Sequence, residues 1–463
     1  MNKVLKTDQE DISLILDEIK KYSADYLASL HDARTSHTDQ DVNLEPLGDT
    51  GLGTSRTLDY FNENFRKIIV SSAGPRYWGY VVGGVTPAAL AGDWLTSVFD
   101  QNTQTTHGSG DISAILEKQT IRLIAELFEL PDAFNGGFVS GATMSNFTGL
   151  AVGRQWAGLQ IGKDIARDGM SDEIVVLAAT PHSSVIKSLS MLGFGSSNII
   201  KIGTLPNREA MDLTVLERKL FELEGKPVII SCSAGTVNTV DFDDLAVIAK
   251  LKEKYNFWMH VDAAFGGFAA CSADYQYLVK GWEYADSITI DCHKWMNVPY
   301  DSAVFFTRKE HSKLQVQTFQ NSNAPYLGDP LENFSYMNFL PENSRRFRAL
   351  PAWFSLVAYG KEGFRSIVAN SVNCAKAFGD YLEADESFEL TAPVRLNVVC
   401  FKLKEAEKTP VFLDTLNKTG KVFMTPTVLN GEFCLRAAFV NYLTTREDVD
   451  FVFEEMKKIV RVL

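Results

Sequence analysis

The chain has 463 residues, of which 45% are hydrophobic and 22% are charged, as in soluble globular proteins. Its formal net charge of -13 leaves no basic surplus for nucleic-acid phosphates or for an anionic membrane surface, so neither partner is expected. Apolar runs are too short to cross a bilayer, and charges interrupt them near the N-terminus, which argues against a signal peptide. Six scattered cysteines without a CxxC pair predict a reduced, cytoplasmic protein.

The N-terminal residues predict a helix. Thr7 and Glu10 have capping-box spacing, which places the predicted helix start near Thr7. Apolar and aromatic side chains then recur at helical spacing, at Ile12, Ile15, Leu16, Ile19, Tyr22 and Tyr26. Residues 42–58 are rich in glycine, proline and polar side chains and predict a connector.

From about residue 137 onward, short strand-like runs alternate with helix-like segments. The runs cover residues 137–140, 173–180, 198–204, 227–235, 258–265, 287–292 and 302–307. They are apolar on both faces, and most of the connections are long enough for crossovers. This pattern predicts an α/β fold, with helices covering a mostly parallel sheet.

Beyond about residue 331 the pattern changes to that of a smaller α+β domain. Helices are predicted at 344–364 and in the terminal segment REDVDFVFEEMKKIV, and strands at 395–403 and 431–439. We therefore predict an N-terminal helical segment and connector (1–75), a large α/β domain (76–335) and a small C-terminal α+β domain (336–463).

Polar residues follow several predicted strands, at the edge where an open parallel sheet binds its ligands. Asp262, His182 and the pair His293–Lys294 each follow a strand, and residues 140–146 lead from the first strand into a helix. Each feature alone has a structural explanation, such as a helix cap. Together, in this order on one sheet, they favour a shared site. Because GxGxxG, P-loop, HExxH and GxSxG motifs are missing from the sequence, NAD enzymes, nucleotide hydrolases, zinc proteases and serine hydrolases lose support.

These residue types are the ones that pyridoxal phosphate requires from a protein, namely an imine-forming lysine and an acid at the pyridinium nitrogen. Lys294 lies between His293 and Trp295, where desolvation would make its amine nucleophilic. Asp262, as an anion, would keep the ring nitrogen protonated. The small side chain of Ala264 points the same way as Asp262 in an extended chain and would pass beneath the ring.

Two further contacts are expected with the same cofactor. His182 would stack on the opposite ring face. Thr143 and Ser145, which open a helix, would bind the phosphate at the helix N-terminus. Arginines also suit carboxylates, but they are more often structural or solvated, so we do not assign them to the site. The arginines concerned are Arg345, Arg346, Arg348 and Arg436.

Five motifs, in this order, resemble the group II pyridoxal-phosphate-dependent amino-acid decarboxylases. They are SGATMSN (140–146), PHSSV (181–185), HVDAAFGG (260–267), DCHKW (291–295) and SRRFRALPAW (344–353). The resemblance runs from about residue 70 to 365 and continues more weakly to the C-terminus. It implies the aspartate-aminotransferase fold (fold type I of pyridoxal-phosphate enzymes), with a seven-stranded sheet, and a homodimer whose active sites lie at the subunit interface.

The resemblance also implies individual roles. Lys294 is the imine lysine, Asp262 the pyridinium partner and His182 the stacking base, while Thr236 lies beside the ring. Tyr326, in the loop 320–333, matches the family tyrosine that protonates Cα, which favours decarboxylation over the chemistry of an aldehyde synthase. The residues expected near the phosphate are Thr143, Met144, Ser145 and His293.

The predicted reaction is decarboxylation of an L-amino acid, aromatic or acidic, to the amine and carbon dioxide. Aromatic substrates are slightly favoured. Residues 100–110 depart from the family pattern in a region that helps to form the substrate pocket, where Tyr80, Thr106 and His107 are expected. The alternatives are another carbon–carbon lyase or an aldehyde synthase on the same scaffold, or a non-catalytic binding protein of this fold.

Overall fold

The computed structural model describes residues 2–38, 46–106, 112–320 and 334–463. Its N-terminal part contains helices α1 (Lys3–Glu10), α2 (Ile12–Ala28) and α3 (Thr54–Asn64). The predicted start near Thr7 is wrong, because the Asn2 side chain accepts a hydrogen bond of 2.8 Å from the Val4 N–H and caps α1 five residues earlier.

Seven strands form the larger sheet, in the order β1-β7-β6-β5-β4-β2-β3. Strand β7 runs antiparallel to both of its neighbours, β1 and β6, whereas β2 to β6 pair in parallel. The mostly parallel seven-stranded sheet is therefore confirmed. The strands are β1 (Phe134–Val139), β2 (Val175–Ala178), β3 (Ile199–Lys201), β4 (Val228–Ser233), β5 (Phe257–Asp262), β6 (Ser287–Ile290) and β7 (Ala303–Arg308).

Helices connect and cover these strands. They are α4 (Pro87–Phe99), α5 (Ser113–Leu127), α6 (Ala142–Gln160), α7 (Ile165–Asp168), α8 (Ser183–Met191), α9 (Leu213–Glu222), α10 (Leu245–Leu251) and α11 (Ser312–Phe319). Helix α6 lies close against the sheet at Gly153, where the missing side chain leaves room for the Trp258 indole. A Cβ atom added at Gly153 would come within 2.9 Å of that indole. This close packing places the N-terminus of α6 beside the ends of β5 and β6.

A second sheet lies in the C-terminal part, with the antiparallel order β10-β11-β9-β8. The predicted strands and terminal helix are confirmed there, while β8, β10 and α13 were not predicted. The division of the chain at 75/76 and 335/336 stays a prediction. The elements are α12 (Ala349–Ala384), β8 (Phe388–Leu390), β9 (Val398–Leu403), α13 (Thr409–Lys418), β10 (Thr425–Leu429), β11 (Glu432–Ala438) and α14 (Arg446–Val460).

The register of the larger sheet brings the carboxyl ends of its central strands together. Ser233, the last residue of β4, pairs with Asp262, the last residue of β5, and Asp262 pairs with Thr289 on β6. Polar side chains that follow these strands therefore meet at one edge. Within the described residues, every helix is too short or too polar to traverse a lipid bilayer.

Candidate active site

A cavity of about 300 Å³ lies at the carboxyl ends of these strands. Its walls come from the residues after β2, β4, β5 and β6, from the segment around Tyr80 and from β11. The cavity brings together six of the predicted site residues, namely His182, Thr236, Asp262, Ala264, His293 and Lys294.

The Lys294 amine has a buried counter-ion that the sequence analysis did not assign. Its Nζ lies 3.1 Å from Asp291 Oδ2, and the Lys294 side chain is only 15% exposed. Burial by itself raises the pKa of Asp291, but the Lys294 ammonium and His293 outweigh burial and hold that pKa below its usual range. Asp291 lies three residues before Lys294, so the turn that follows β6 brings the two side chains together.

The backbone around Lys294 is held on both sides. A Cβ atom at Gly83 would lie 1.9 Å from the Lys294 carbonyl oxygen, so the 83–84 backbone packs directly on Lys294. Asn297 Oδ1 accepts hydrogen bonds from the N–H groups of Gly84 (2.8 Å) and Tyr442 (3.1 Å). These contacts fix the direction in which the lysine side chain leaves the backbone.

Asp262 is oriented by two donors. Asn146 Nδ2 lies 3.0 Å from Asp262 Oδ2, and the Ala264 N–H donates to Oδ1 at 3.2 Å. The Asn146 amide oxygen in turn accepts from His260 Nε2 (2.9 Å) and Thr289 Oγ1 (2.7 Å). Asn146 belongs to the SGATMSN motif. The motif alone does not predict the contact with Asp262, because that contact depends on how α6 packs against β5.

His182 combines a structural role with a place in the cavity wall. It caps α8, since its Nδ1 accepts from the Ser184 N–H at 3.2 Å and lies 2.7 Å from Ser184 Oγ. Burial lowers the pKa of His182, and the nearby Asp262 carboxylate only partly opposes this effect. The imidazole is therefore neutral at neutral pH. Ser184 also accepts a hydrogen bond of 3.1 Å from Asn146, which connects His182 to Asp262.

The predicted phosphate residues lie in the first turn of α6. The Ser145 hydroxyl is fully buried and contacts Thr289 Oγ1 (3.0 Å) and the Val304 carbonyl (2.9 Å), so it is already engaged. The residues around this cavity do not include Thr143, Met144 or Ser145. Their role at the phosphate stays a prediction, with the unpaired N–H groups of the first helical turn as the available donors.

His293 lies between the lysine and this helix. A Cβ atom at Gly141, immediately before α6, would lie 3.3 Å from His293 Cε1. His293 Nε2 is 3.0 Å from Asp291 Oδ1, Nδ1 accepts from the Ser302 N–H at 3.2 Å, and the imidazole stacks on the Tyr300 ring at 4.1 Å. The N-terminus of α6 therefore adjoins the cavity through His293.

Thr236 and Arg436 form the opposite wall. The Thr236 hydroxyl donates to Glu209 Oε2 at 2.5 Å. Arg436, from β11, donates through Nη1 to the Val237 carbonyl at 2.9 Å and is only 7% exposed. Its buried Nε has no hydrogen-bond partner within the described residues. Arg436 is thus part of the cavity wall. The sequence alone does not predict this position, because nothing in it shows that the second sheet reaches the first.

The other arginines that the sequence analysis set aside form ion pairs outside the cavity. Arg345 pairs with Glu117, Arg346 with Asp93, and Arg348 with Asp301 and Glu342.

The remaining expected residues have different outcomes. Tyr80 lines the cavity. The Thr106 hydroxyl donates to the Phe334 carbonyl at 3.3 Å, and this residue is not part of the cavity wall. Tyr326 and His107 lie outside the described residues. Phe265 and Tyr300 line the cavity as well, and both were missed.

The side chains around the cavity fit the three functional parts of pyridoxal phosphate. A buried primary amine suits the aldehyde, an aspartate held by Asn146 suits the pyridine nitrogen, and the N-terminus of a helix lies next to His293 and suits a phosphate. The neutral imidazole of His182 lies in the same cavity wall and suits stacking on an aromatic ring.

The chain is similar to pyridoxal-dependent decarboxylases. A family model described as the pyridoxal-dependent decarboxylase conserved domain matches residues 53–404. An aromatic-L-amino-acid decarboxylase of Bacillus atrophaeus is 27% identical over 434 residues, which covers 90% of this chain and 87% of that protein. An L-2,4-diaminobutyrate decarboxylase of Rhizobium meliloti is 27% identical over 436 residues, with 91% and 85% covered.

The fold comparison extends over the whole length. The structure of Catharanthus roseus tryptophan decarboxylase in complex with L-tryptophan has a TM-score of 0.89 to this chain, at 21% identity and with 98% of both chains covered. This likeness confirms the predicted fold type. Since the family model spans most of the sequence, the chain belongs to the pyridoxal-dependent decarboxylases, whose cofactor is pyridoxal phosphate.

Proposed function

We propose that this protein decarboxylates an L-amino acid to the corresponding amine and carbon dioxide. The observation that carries the proposal is that Lys294, Asp262 and the buried Arg436 line a single cavity. When bound, pyridoxal phosphate supplies an electron sink for the bonds at the substrate Cα. Lys294 would hold it covalently through Nζ.

Asp262 and His182 act on the cofactor ring through their charge states. The Asp262 carboxylate, fixed by Asn146, favours a proton on the ring nitrogen, because a nearby anion stabilises the charged form of its partner. Burial keeps His182 neutral, so its imidazole would stack on the cofactor ring without adding a positive charge. The two groups are coupled through Ser184 and Asn146.

Arg436 is proposed to bind the substrate α-carboxylate. A guanidinium matches a carboxylate geometrically, and charge-assisted hydrogen bonds are stronger than neutral ones. Because Arg436 is 7% exposed, water screens this attraction little. The Val237 carbonyl holds one edge of the guanidinium and leaves Nε available. A fixed carboxylate determines which bond at Cα is aligned for cleavage.

Tyr326 is proposed as the acid that protonates Cα after carbon dioxide leaves. The support is its place in the sequence, in the loop before SRRF, since the residue lies outside the described residues. A phenylalanine at this position would favour an aldehyde synthase, and the tyrosine favours simple decarboxylation.

A homodimer is proposed as the active form, with the active sites at the subunit interface. The support is a set of exposed apolar side chains on α1, α2 and α4, which a partner subunit would remove from water. Its members are Leu5, Ile12, Leu14, Leu16, Val98 and Phe99, each at least 48% exposed. Sedimentation of the purified protein tests the proposal, and a fully active monomer would contradict it.

A cytoplasmic location is proposed on different grounds. All six cysteines are buried and free, as expected for a protein of a reducing compartment. Fractionation of cells that express the full chain, followed by immunoblotting, tests this location, and recovery in the extracellular fraction would contradict it.

A turnover panel tests the reaction. Purified protein with pyridoxal phosphate is given each common L-amino acid together with DOPA, 5-hydroxytryptophan, cysteine sulfinate and 2,4-diaminobutyrate. Carbon dioxide, amine, ammonia and hydrogen peroxide are followed together, in the wild type, in Lys294→Ala and in the control Lys163→Ala, which changes an exposed lysine.

Equal amounts of amine and carbon dioxide, abolished in Lys294→Ala and retained in the control, support a decarboxylase. Peroxide and ammonia would instead indicate an aldehyde synthase. A lysine-bound cofactor in the absorption spectrum without any turnover would indicate another lyase or a binding protein.

A further inference from the structure

A buried carboxylate that the proposed function does not use lies directly behind the cavity wall. Glu209 belongs to the segment between β3 and α9 and is only 8% exposed. Its carbonyl oxygen accepts a hydrogen bond of 2.8 Å from Thr180 Oγ1, and its carboxylate accepts one of 2.5 Å from Thr236 Oγ1. Thr180 and Thr236 both line the cavity. Glu209 therefore contacts two wall residues, although it is not itself part of the described wall.

The carboxylate of Glu209 holds together the turn that follows β4, residues 235–239. In addition to the Thr236 hydroxyl, Oε2 accepts hydrogen bonds from the Thr239 N–H (3.0 Å) and the Thr239 hydroxyl (2.7 Å), and Oε1 accepts one of 3.1 Å from Asn238 Nδ2. Four donors from three residues of one turn thus meet a single carboxylate. Hydrogen bonds to a carboxylate are stronger than those between neutral groups, so Glu209 fixes the shape of this turn.

The hydroxyl of Thr236 is committed to this arrangement. It donates its proton to Glu209 Oε2 and accepts a hydrogen bond of 2.9 Å from the Asp241 N–H. A threonine hydroxyl has a single proton, so Thr236 has no donor left for a ligand while Glu209 accepts that proton. Its contribution to the cavity wall is then its position and shape rather than a donated hydrogen bond.

The second sheet holds the other side of the same turn. Arg436 on β11 donates to the Val237 carbonyl at 2.9 Å, and Thr427 on β10 donates through Oγ1 to Asn238 Oδ1 at 2.6 Å. The Asn238 amide therefore bridges Glu209 and the second sheet. Because both sides of the turn are bonded, a shift of the Glu209 carboxylate would be passed on to the wall residues between them.

Glu209 is itself held in place by Asp241. Asp241 Oδ2 accepts hydrogen bonds from the N–H groups of Glu209 (3.0 Å) and Ala210 (3.2 Å) and from Arg208 Nε (3.0 Å). Burial alone would raise the pKa of Asp241, but Arg208 and Arg395 hold that pKa below its usual range. The Asp241 carboxylate is therefore charged at neutral pH and anchors the backbone at Glu209.

From these contacts we infer that Glu209 is a positioning residue for pyridoxal phosphate, which acts by fixing Thr236 in the wall against which the cofactor ring lies. The inference rests on the proposed placement of the cofactor in this cavity and adds a residue that does not touch it. Small displacements of a positioning contact have large effects, since about 1 Å can cost about 100-fold in rate.

Two matched threonines allow a test that separates positioning from stability. Thr236 and Thr239 are each 4% exposed, and each donates its hydroxyl to Glu209 Oε2. Of the two, only Thr236 is part of the described cavity wall. The variants are Thr236→Val, Thr239→Val, Glu209→Gln and the double variant Glu209→Gln with Thr236→Val. Glu224→Gln is the control, since Glu224 is an exposed glutamate.

Cofactor binding and folding are measured separately in each variant. The dissociation constant of pyridoxal phosphate and the absorption maximum of the lysine-bound cofactor report on the site, and denaturant unfolding without cofactor reports on stability. We expect Glu209→Gln and Thr236→Val to bind pyridoxal phosphate about five- to tenfold more weakly, as for one lost hydrogen bond, and to shift the absorption maximum. Thr239→Val should unfold at lower denaturant but keep the wild-type affinity and spectrum.

The double variant tests whether Glu209 acts through Thr236. If it does, the double variant binds the cofactor no more weakly than the weaker-binding single variant, because both substitutions remove the same contact. Multiplied losses of affinity would overturn the inference. If Glu209→Gln does not fold, the comparison of Thr236→Val with Thr239→Val decides the question.

The remaining outcomes separate the inference from the proposed function. Wild-type cofactor affinity and spectrum in Glu209→Gln would overturn the inference and leave the proposed decarboxylation intact. Equal losses of cofactor affinity in Thr236→Val and Thr239→Val would also overturn it, since Glu209 would then stabilise the turn without placing Thr236. Wild-type protein that binds the cofactor but decarboxylates no amino acid would remove the proposed function, while the expected changes in cofactor binding would still support the inference.

Discussion

Asn146 Nδ2 donates a hydrogen bond of 3.0 Å to Asp262 Oδ2, and this amide is fully buried. The same side chain bonds Ser184 on α8, His260 on β5 and Thr289 on β6. One amide therefore joins two helices and two strands. Because Ser184 also contacts His182, the orientations of Asp262 and His182 depend on each other.

We expect Asn146→Leu to weaken both folding and cofactor binding. The substitution leaves buried groups on Asp262, His260 and Thr289 without their partner, and each unpaired buried polar group costs about 1–3 kcal/mol. The free energy of unfolding should fall by ~2 kcal/mol or more. Denaturant titration and fluorescence titration with pyridoxal phosphate measure the two effects. The control Asn64→Leu changes an exposed asparagine, and wild-type cofactor affinity in Asn146→Leu would contradict the expectation.

A second prediction concerns the close approach of Gly83 to Lys294. In Gly83→Ala the added Cβ would lie 1.9 Å from the Lys294 carbonyl oxygen, so the backbone of one segment must move. We expect the lysine to be displaced and the affinity for pyridoxal phosphate to fall at least tenfold. Absorption titration of the lysine-bound cofactor measures this. Gly51→Ala is the matched control, since no heavy atom lies within 4 Å of its added Cβ, and equal affinities of the two variants would refute the prediction.

The larger sheet and the position of the central cavity residues could be predicted because their signals are local. Strands buried on both faces give continuous apolar runs, and ligands bind where such strands end. Lys294, Asp262 and His182 follow from these two rules. Arg436 does not, because it reaches the cavity from the second sheet, and its contact with Val237 joins segments far apart in the sequence.

The missed elements have weak local signals for physical reasons. Strands β8 and β10 lie at the two edges of the second sheet. Strand β8 has three residues, and β10 alternates between more and less exposed side chains with a proline among them. Edge strands need no continuous apolar run, so composition alone did not separate them from loops.

The stability of this protein should depend on pH through His260. Burial lowers the pKa of His260 to about 4 in the folded state, and the Asp262 carboxylate only partly opposes burial. The unfolded chain has a histidine pKa of about 6.5. Between these two values the unfolded state binds a proton that the folded state excludes. The free energy of unfolding should therefore fall by ~1.4 kcal/mol per pH unit as the pH drops below about 6.5.

Comparison with His260→Gln isolates this contribution. Burial raises the pKa of Asp243 to about 6, which favours folding as the pH falls through that value and so opposes the effect of His260. Asp243 is present in both proteins and cancels in the difference. From pH 6.5 to 5 the wild type should lose ~2 kcal/mol relative to the variant, measured by denaturant unfolding at each pH. Parallel pH profiles would show that His260 is not the group responsible.

The ion pair of Arg345 and Glu117 gives a last prediction. Both side chains are fully buried, Arg345 Nη2 lies 2.6 Å from Glu117 Oε1, and the same guanidinium donates to the Phe138 carbonyl at 2.7 Å. In Glu117→Leu the guanidinium is left buried without a counter-ion, which should cost about 3–5 kcal/mol of unfolding free energy.

The double variant Glu117→Leu with Arg345→Met removes both charges, and we expect it to be more stable than either single variant, because the desolvation cost disappears with the charges. A double-mutant cycle by denaturant unfolding measures the coupling. Glu126→Leu is the control, since its partner Arg122 is 67% exposed and surface pairs contribute about 0–1 kcal/mol. If the losses of unfolding free energy in the two single variants add up in the double variant, the two side chains contribute independently and the ion pair has no net coupling. Arg345 would then be held by the carbonyl of Phe138 rather than by Glu117.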